Sequence, residues 1–334
     1  MNLILFKRSE ISTDGKSIQL QDKDPRTKHI FGHLRKVDGD CVTIGIISGR
    51  QGKSIVRTKG DVGNRLELVL DDDDDVDDEG GTGEKSSLLI THSNGDSNHH
   101  EIVLVLSLPF PKRLKGLWAQ ITSMGVTRIC IIRGMLSDPN YRKSSVVTPQ
   151  VYQPLVEEGM SQGCHTKEVA VDVSVDEVMS RGVLDRLGLA AATTNATTTT
   201  KSSTSHDEIR IFLDCGDETM EPLPCRQVIM NRLSAGSQTT TTAKTTPGIN
   251  KKKRIVVAIG SERGWTDDEA KLFHEAGYES ASLGRSILRV DTAVIAGLGI
   301  ISATLDEIER EHEKMKNGEP KDSPPRKRKQ NRIC

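Results

Sequence analysis

The sequence has few apolar residues, almost no net charge and no closely spaced pair of cysteines. Hydrophobic residues make up 35% of its 334 residues, which is low for a chain that is globular throughout, so part of it must form loops. The formal net charge of -1 provides no global basic field. Any contact with nucleic acid must therefore depend on local basic patches.

The six cysteines are scattered without a Cys-x-x-Cys pair, which indicates neither a zinc site nor a disulfide framework. We therefore expect a reducing compartment and no bound metal. No apolar run approaches the roughly 20 residues that span a bilayer, and the apolar run at residues 1–6 is too short for the core of a signal peptide. Together these absences predict a soluble cytoplasmic protein without a membrane partner.

Two short strand-like stretches in the last third of the chain each lead into a glycine-bearing loop. Residues 255–259 are apolar and mostly β-branched and stop at Gly260, a pattern that predicts a buried strand. A capping box at residues 266–269 then predicts a helix. Residues 278–283 repeat the pattern and stop at Gly284, before a long helix for which Asp291 or Thr292 is the predicted N-cap. Ligands gather beyond such strand ends in open α/β sheets, where glycine lets the backbone approach them.

These two loops carry a family resemblance. The patterns Ile-Gly-x-Glu-x-Gly at 259–264 and Leu-Gly-x-x-Ile-Leu-Arg-x-Asp-Thr-Ala at 283–293 resemble the E-type (RsmE-type) ribosomal small-subunit RNA uracil-N3 methyltransferases of the SPOUT superfamily. The resemblance implies an α/β fold, in which a SPOUT trefoil-knotted α/β domain is preceded by a small PUA-like β-barrel. It also implies a homodimer that binds S-adenosyl-L-methionine in the knot. The chain departs from the family pattern at Ser261 and Arg263, where Pro and Gly are usual, and at Asp291, where Glu is usual.

The resemblance also implies site residues. Residues of the strand-end loops would hold the cofactor, namely Leu213, Ile259, Gly260, Glu262, Gly264, Leu283, Gly284, Ile287 and Leu288. Because N3 of uracil must lose its imide proton, Glu262 is a candidate proton acceptor, and Arg289 is a candidate anchor for phosphate or for the developing uracil anion. The structural alternative is that Arg289 only pairs with Asp291 or with Glu262.

Residues 1–70 alternate short apolar runs with turn signals, a spacing typical of an all-β domain. The resemblance assigns this stretch to the RNA-binding PUA-like barrel. The predicted RNA contacts, in this stretch and in the next domain, are His29, Arg35, Lys36, Arg142, Lys143 and His165. A solvated surface would carry similar residues, so both interpretations stay open.

Polar tracts divide the rest of the chain. The acidic and glycine-containing residues 71–100 predict a disordered linker, because dense like charges repel one another. Residues 101–312 form the predicted methyltransferase domain, with disordered threonine-rich insertions at about 190–206 and 234–252. Residues 313–334 form a basic disordered tail suited to nonspecific RNA contact.

The sequence therefore predicts S-adenosyl-L-methionine-dependent methylation of a uracil N3 in small-subunit ribosomal RNA. Two alternatives stay open. One is a noncatalytic RNA-binding protein on a degenerated knot, which the departures at Ser261 and Arg263 would suit. The other is an RNA methyltransferase with a different target base. Cofactor binding distinguishes the first alternative from an enzyme.

Overall fold

The protein is described by a computed structural model over residues 3–59, 65–70, 100–191, 208–216, 221–235 and 253–316. Within these ranges the chain forms two compact units. The first contains residues 3–70 and 157–168, and the second contains residues 100–156 and 169–316. The predicted acidic linker, both threonine-rich insertions and the basic tail lie largely outside the described residues.

The first unit is built on a five-stranded sheet. Its strands are β1 (Ile4–Phe6), β2 (Ser17–Leu20), β3 (Cys41–Ile46), β4 (Gln51–Lys59) and β5 (Arg65–Leu70). They lie in the order β1-β3-β4-β5-β2, with β1 parallel to β3 and all other neighbours antiparallel. The sheet agrees with the all-β spacing of the sequence, and its closure into a PUA-like barrel stays a prediction.

A short helix, α1 (Pro25–Lys28), follows β2 and continues as one π-helical turn, His29–His33. The carboxylate of Asp24 caps α1 by accepting the N–H of Arg26 at 2.8 Å. Ile30 is buried, because it packs against the apolar residues of the sheet, including Phe6, Ile18, Ile44, Val56 and Leu68.

The guanidinium group of Arg26 forms hydrogen bonds and ion pairs with several segments of the first unit. The group lies 2.6 Å from Glu10 Oε1 and 2.8 Å from Asp24 Oδ2, and it donates to the carbonyl oxygen of Leu5 at 3.1 Å. Burial raises the pKa of Glu10, but the hydrogen bond from Arg26 and its neighbours outweigh burial and hold that pKa below its ordinary value. The hydrogen bond from Arg26 also lowers the pKa of Asp24.

The second unit is built on a six-stranded sheet in which all neighbouring strands are parallel. Its strands are β6 (Glu101–Ser107), β7 (Arg128–Arg133), β8 (Ala170–Val178), β9 (Glu208–Leu213), β10 (Arg254–Ile259) and β11 (Glu279–Ala281). Their order is β11-β9-β10-β6-β7-β8. This sheet confirms the predicted α/β class, whereas the trefoil knot stays a prediction.

The helices are α2 (Pro111–Ser123), α3 (Pro149–Gln162), α4 (Arg181–Arg186), α5 (Cys225–Ala235), α6 (Asp267–Glu275) and α7 (Val290–Lys316). The central strands β6 and β10 are apolar and buried almost throughout, as parallel strands with both faces covered usually are. Helix α7 packs against α2 and α5.

The start of α7 differs from the sequence prediction. The helix begins at Val290, and the carbonyl oxygen of Arg289 accepts the N–H of Ala293 at 2.8 Å. The prediction that Asp291 or Thr292 is the N-cap was therefore wrong, because both residues lie inside the first turn. An acidic side chain in a first turn is nevertheless favourable, since it faces the positive end of the helix dipole.

The capping box of α6 is confirmed, and its glutamate has a second role. Glu269 is buried, and its Oε2 accepts the N–H of Thr266 at 2.8 Å, while the hydroxyl of Thr266 accepts the N–H of Glu269 at 3.2 Å. The other oxygen, Oε1, accepts the N–H of Met135 at 2.8 Å. A single carboxylate thus fixes the start of α6 to the loop that follows β7.

None of the helices in the described ranges combines the length and the apolar character that crossing a membrane requires. The same ranges bring together no group of three or more His, Cys, Asp or Glu side chains with the geometry of a metal site.

We predict that Arg26→Met lowers the free energy of unfolding by roughly 2 kcal/mol at neutral pH, since it removes hydrogen bonds to charged partners. The carboxyl pKa values of Glu10 and Asp24 are lowered by folding, so their contribution is present above the ordinary carboxyl pKa and is lost as the pH falls through the lowered values. The difference between wild type and variant should therefore shrink below about pH 4. Urea unfolding at neutral and at acidic pH measures it.

The matched control is Arg57→Met, which removes the exposed ion pair with Asp38, whose closest N–O distance is 3.6 Å. Exposed pairs contribute about 0–1 kcal/mol, so this variant should stay close to wild type. A difference for Arg26→Met that is as small as the control, or that persists unchanged at acidic pH, would contradict the prediction.

Candidate active site

Three apolar side chains from three strand ends meet around one glycine of α7. Leu213 ends β9, Ile259 ends β10, and Leu283 follows β11. A Cβ placed on Gly297 would lie 3.0 Å from Leu213 Cδ1 and 3.9 Å from the Cδ1 atoms of Ile259 and Leu283. The structure thus brings together three of the residues that the sequence analysis assigned to cofactor binding.

Gly297 itself was not among the predicted site residues. A glycine inside a helix costs about 1 kcal/mol relative to alanine, so its presence in the middle of a long helix indicates a close approach by another element. That signal was available in the sequence. What the sequence could not provide was the identity of the three side chains that approach it.

The loop after β10 closes on itself. The N–H of Gly264 donates to the carbonyl oxygen of Ser261 at 3.0 Å, and Gly264 has a φ of +72°. A Cβ on Gly260 would lie 2.9 Å from the backbone of Gly264. Both glycines are therefore required by the loop itself, whether or not a ligand is bound.

Glu262 fastens this loop to the start of α2. Its Oε1 accepts the backbone N–H of Phe110 at 3.0 Å and lies 2.8 Å from Nη1 of Arg113. Among the described residues, none donates to its other oxygen, Oε2. The carboxylate is thereby held in one orientation with one oxygen available, and the ion pair with Arg289 that was considered as an alternative is not formed.

The contact between Glu262 and Phe110 lies where the winding of the sheet changes direction. From β6 the chain adds β7 and β8 on one side, whereas β10, β9 and β11 lie on the other side. Phe110 follows β6 and Glu262 follows β10. In open α/β sheets, the carboxyl ends of the two strands that flank such a position form the usual ligand crevice.

The loop after β11 has a glycine in an unusual conformation. Gly284 has a φ of +125°, and a Cβ on it would meet no heavy atom within 4 Å. The hydroxyl of Ser282 accepts the N–H of Gly284 at 3.0 Å, and the N–H of Ser282 donates to the carbonyl oxygen of Leu223 at 2.9 Å. The remaining predicted residues of this loop differ in exposure, since Ile287 is 87% exposed and Leu288 is half-buried.

Arg289 follows this loop and is mostly exposed, with 65% of its side chain open to solvent. Its Nη2 lies 3.3 Å from Oδ2 of Asp291. Of the two structural partners considered for Arg289, Asp291 is therefore the one that it contacts. An exposed ion pair of this kind is worth about 0–1 kcal/mol, so it holds the guanidinium group only weakly.

The predicted RNA contacts are divided between the two units. His29, Arg35, Lys36 and His165 are in the first unit, and Arg142 and Lys143 are in the second. His29 is half-buried, and burial together with the nearby His33 lowers its pKa. Arg35, Arg142 and Lys143 are exposed, and Arg142 lies 3.9 Å from Asp176.

Comparisons with known proteins indicate which family the chain resembles. Residues 224–302, which contain both glycine loops, match the family described as the RNA methyltransferase domain. The chain is 24% identical over 308 residues to ribosomal RNA small subunit methyltransferase E of Treponema pallidum, a match that covers 91% of each protein. A stretch of 57 residues is 44% identical to the protein of the same name from Synechocystis, covering 17% of this chain and 19% of that one.

A crystal structure of ribosomal RNA small subunit methyltransferase E from Neisseria gonorrhoeae, bound to S-adenosyl methionine, shares the fold. The TM-score is 0.53 at 15% sequence identity, covering 90% of this chain and 97% of that one. Residues 224–302 thus match an RNA methyltransferase domain, and the chain shares its fold with a solved methyltransferase. Over 91% of its length the chain is similar to ribosomal RNA small subunit methyltransferase E, which confirms the resemblance carried by the two glycine motifs.

We predict that Gly260→Ala lowers the free energy of unfolding by about 1–3 kcal/mol, because the added Cβ would collide with backbone atoms of Gly264 that cannot move aside without opening the loop. The control is Gly116→Ala on the exposed surface of α2, where a Cβ meets nothing within 4 Å. That change should be neutral or slightly stabilising. Urea unfolding of both variants provides the comparison, and equal midpoints would show that the loop is not closed on itself in this way.

Proposed function

We propose that the chain methylates N3 of a uracil in small-subunit ribosomal RNA, with S-adenosyl-L-methionine as the methyl donor. The observation that carries this proposal is the meeting of Leu213, Ile259 and Leu283 at Gly297, next to two glycine loops inside the matched methyltransferase region. The proposal includes a cytoplasmic homodimer and a trefoil knot in the second unit. The order β11-β9-β10, in which the last strand crosses beyond an earlier one, supports the knotted topology.

Two features of the described residues fit a bound S-adenosyl-L-methionine. The first is Gly284, where a φ of +125° favours glycine and a Cβ would meet no heavy atom within 4 Å, so a ligand can approach the backbone across this open space. The second is the hydroxyl of Ser261, a buried group that has no hydrogen-bond partner in the described parts of the chain. A buried hydroxyl without a partner costs free energy, which a polar ligand atom would recover.

The cofactor-binding residues in this proposal keep the predicted set. The apolar side chains are those of Leu213, Ile259, Leu283, Ile287 and Leu288. The backbone and polar contacts come from Gly260, Glu262, Gly264 and Gly284. When bound, S-adenosyl-L-methionine supplies a methyl group on an already activated sulfonium, so the reaction needs neither a metal nor a covalent intermediate.

The remaining work of the site is to position the base and to remove its proton. Glu262 is suited to accept the N3 proton, because Arg113 and the N–H of Phe110 hold Oε1 and leave Oε2 available. Arg289 is suited to stabilise negative charge on the uracil or on a phosphate, because its guanidinium group is exposed and only weakly paired.

The base must be unpaired or flipped out of a helix before it can react, since N3 takes part in base pairing. In this proposal the first unit acts as the PUA-like RNA-binding barrel. The phosphate contacts are those predicted from the sequence, namely His29, Arg35, Lys36, Arg142, Lys143 and His165.

The direct test of the function is to map methylated uridines in small-subunit RNA from cells with and without this protein, and then to restore the lost mark with the purified chain. One uridine should lose its N3-methyl group in the deficient cells and regain it in vitro when S-adenosyl-L-methionine is added. An unchanged uridine pattern, or a lost mark on another base, would refute the uracil assignment.

We predict that Gly284→Leu abolishes S-adenosyl-L-methionine binding, because the side chain fills the open space and because leucine disfavours a φ of +125°. The control is Gly188→Leu, at another glycine of positive φ with no heavy atom within 4 Å of a Cβ. This control introduces left-handed backbone strain away from the strand-end loops, and it should bind the cofactor within a few-fold of wild type. Isothermal titration calorimetry measures both, and equal binding by the two variants would remove Gly284 from the site.

We predict that Arg289→Ala reduces the rate of uracil methylation by about 100-fold while cofactor affinity changes only a few-fold, since losing one such donor costs about 3 kcal/mol in the transition state. The control is Arg310→Ala on the exposed surface of α7, which should leave the rate unchanged. A normal rate for Arg289→Ala would reduce Arg289 to a structural residue. Loss of cofactor binding by Arg289→Ala would instead show that Arg289 stabilises the conformation of the cofactor-binding loop.

A further inference from the structure

An aromatic pair lies beside the loop that carries Glu262. Phe110 is 44% exposed although it is large and apolar, and it directly precedes α2. Tyr141 is half-buried and begins a short 3-10 helix, Tyr141–Lys143. The two ring centres are 5.7 Å apart with an angle of 69° between the ring planes, an edge-to-face contact that fixes the orientation of both rings.

The known contacts of Phe110 do not explain why an aromatic side chain stands there. Its backbone N–H donates to Glu262 Oε1 and its carbonyl oxygen accepts from the first turn of α2, and any residue could make these bonds. The preceding residues Leu108 and Pro109 are buried, so the core ends just before this position. An exposed ring fixed in place is therefore a feature that a ligand would use.

The surroundings of the pair are basic. Lys112 and Arg113 follow Phe110, and Arg142 and Lys143 follow Tyr141. Within the described ranges neither lysine takes part in an ion pair, whereas Arg113 is engaged by Glu262. Stacking surfaces flanked by cations are the usual means of binding single-stranded nucleic acid, because bases stack on the rings and phosphates contact the charges.

We propose that Phe110, oriented by Tyr141, is a stacking platform for an unpaired base of the RNA substrate. This inference rests on the proposed function and adds a base-binding site to it. Because the N–H of Phe110 is bonded to the carboxylate of Glu262, the platform is fixed to the loop that follows β10. Every base presents a π face, so the platform contributes affinity and position but does not select which base is bound.

The test uses the full chain and a short fluorescein-labelled single-stranded oligouridylate, with binding followed by fluorescence anisotropy. Phe110→Leu keeps an apolar side chain and the backbone bonds but removes the ring, so it should weaken binding by about 10-fold. Phe110→Trp restores a ring and should bind within a few-fold of wild type. The control is Met135→Ala, which removes another exposed apolar side chain that has no ring, and it should bind like wild type.

Two results would overturn the platform: oligouridylate binding by Phe110→Leu equal to that of wild type, or equal losses for Phe110→Leu and Phe110→Trp. A change in oligomeric state of Phe110→Leu by analytical ultracentrifugation, without a change in RNA affinity, would likewise overturn it and assign the pair to a protein interface. Tyr141→Leu repeats the test if Phe110→Leu does not fold. Calorimetry of the wild type with S-adenosyl-L-methionine separates the two proposals. Absence of cofactor binding would refute the proposed methyltransferase activity, whereas the stacking role of Phe110 would still be decided by the oligouridylate affinities.

Discussion

The parallel arrangement of the second sheet is the constraint on which the rest of the candidate site depends. Because all six strands point the same way, their carboxyl ends lie along one edge, and every connection must return over a face of the sheet. The loops that follow β6, β10 and β11 therefore lie at the same edge, although they are far apart in the sequence. Helix α7 approaches this edge closely at Gly297, where a Cβ would lie 3.0 Å from Leu213 Cδ1.

Local sequence patterns were sufficient to predict individual strands and helix starts. The apolar run before Gly260 is a buried strand, and Thr266 and Glu269 form the predicted capping box. Gly260 and Gly264 were predicted to let the loop backbone approach a ligand, and the structure adds that the loop itself requires both glycines. The resemblance to ribosomal methyltransferases, carried by two short motifs, indicated the class of fold before any contact was known.

Long-range contacts could not be predicted in the same way. Glu262 was expected to accept a proton or to pair with Arg289, yet its partner Arg113 lies 149 residues away along the chain. Nothing in a single sequence ranks one arginine above another as a partner, because the choice depends on how β6 and β10 are placed side by side. The predicted caps of α7 failed for a related reason, since an acidic residue in a first turn and one at the N-cap give similar sequence signals.

The bonding of Glu269 restricts this position to a carboxylate. Both of its oxygens accept backbone N–H groups, one from Met135 and the other from Thr266. Glutamine has nearly the same shape, but its amide carries an NH₂ group in place of one oxygen. In either rotamer that NH₂ group would face a backbone donor and leave it without an acceptor. Although glutamine has nearly the same size and shape as glutamate, it is thus incompatible with position 269. The two backbone N–H donors, more than the available volume, determine which side chain fits there.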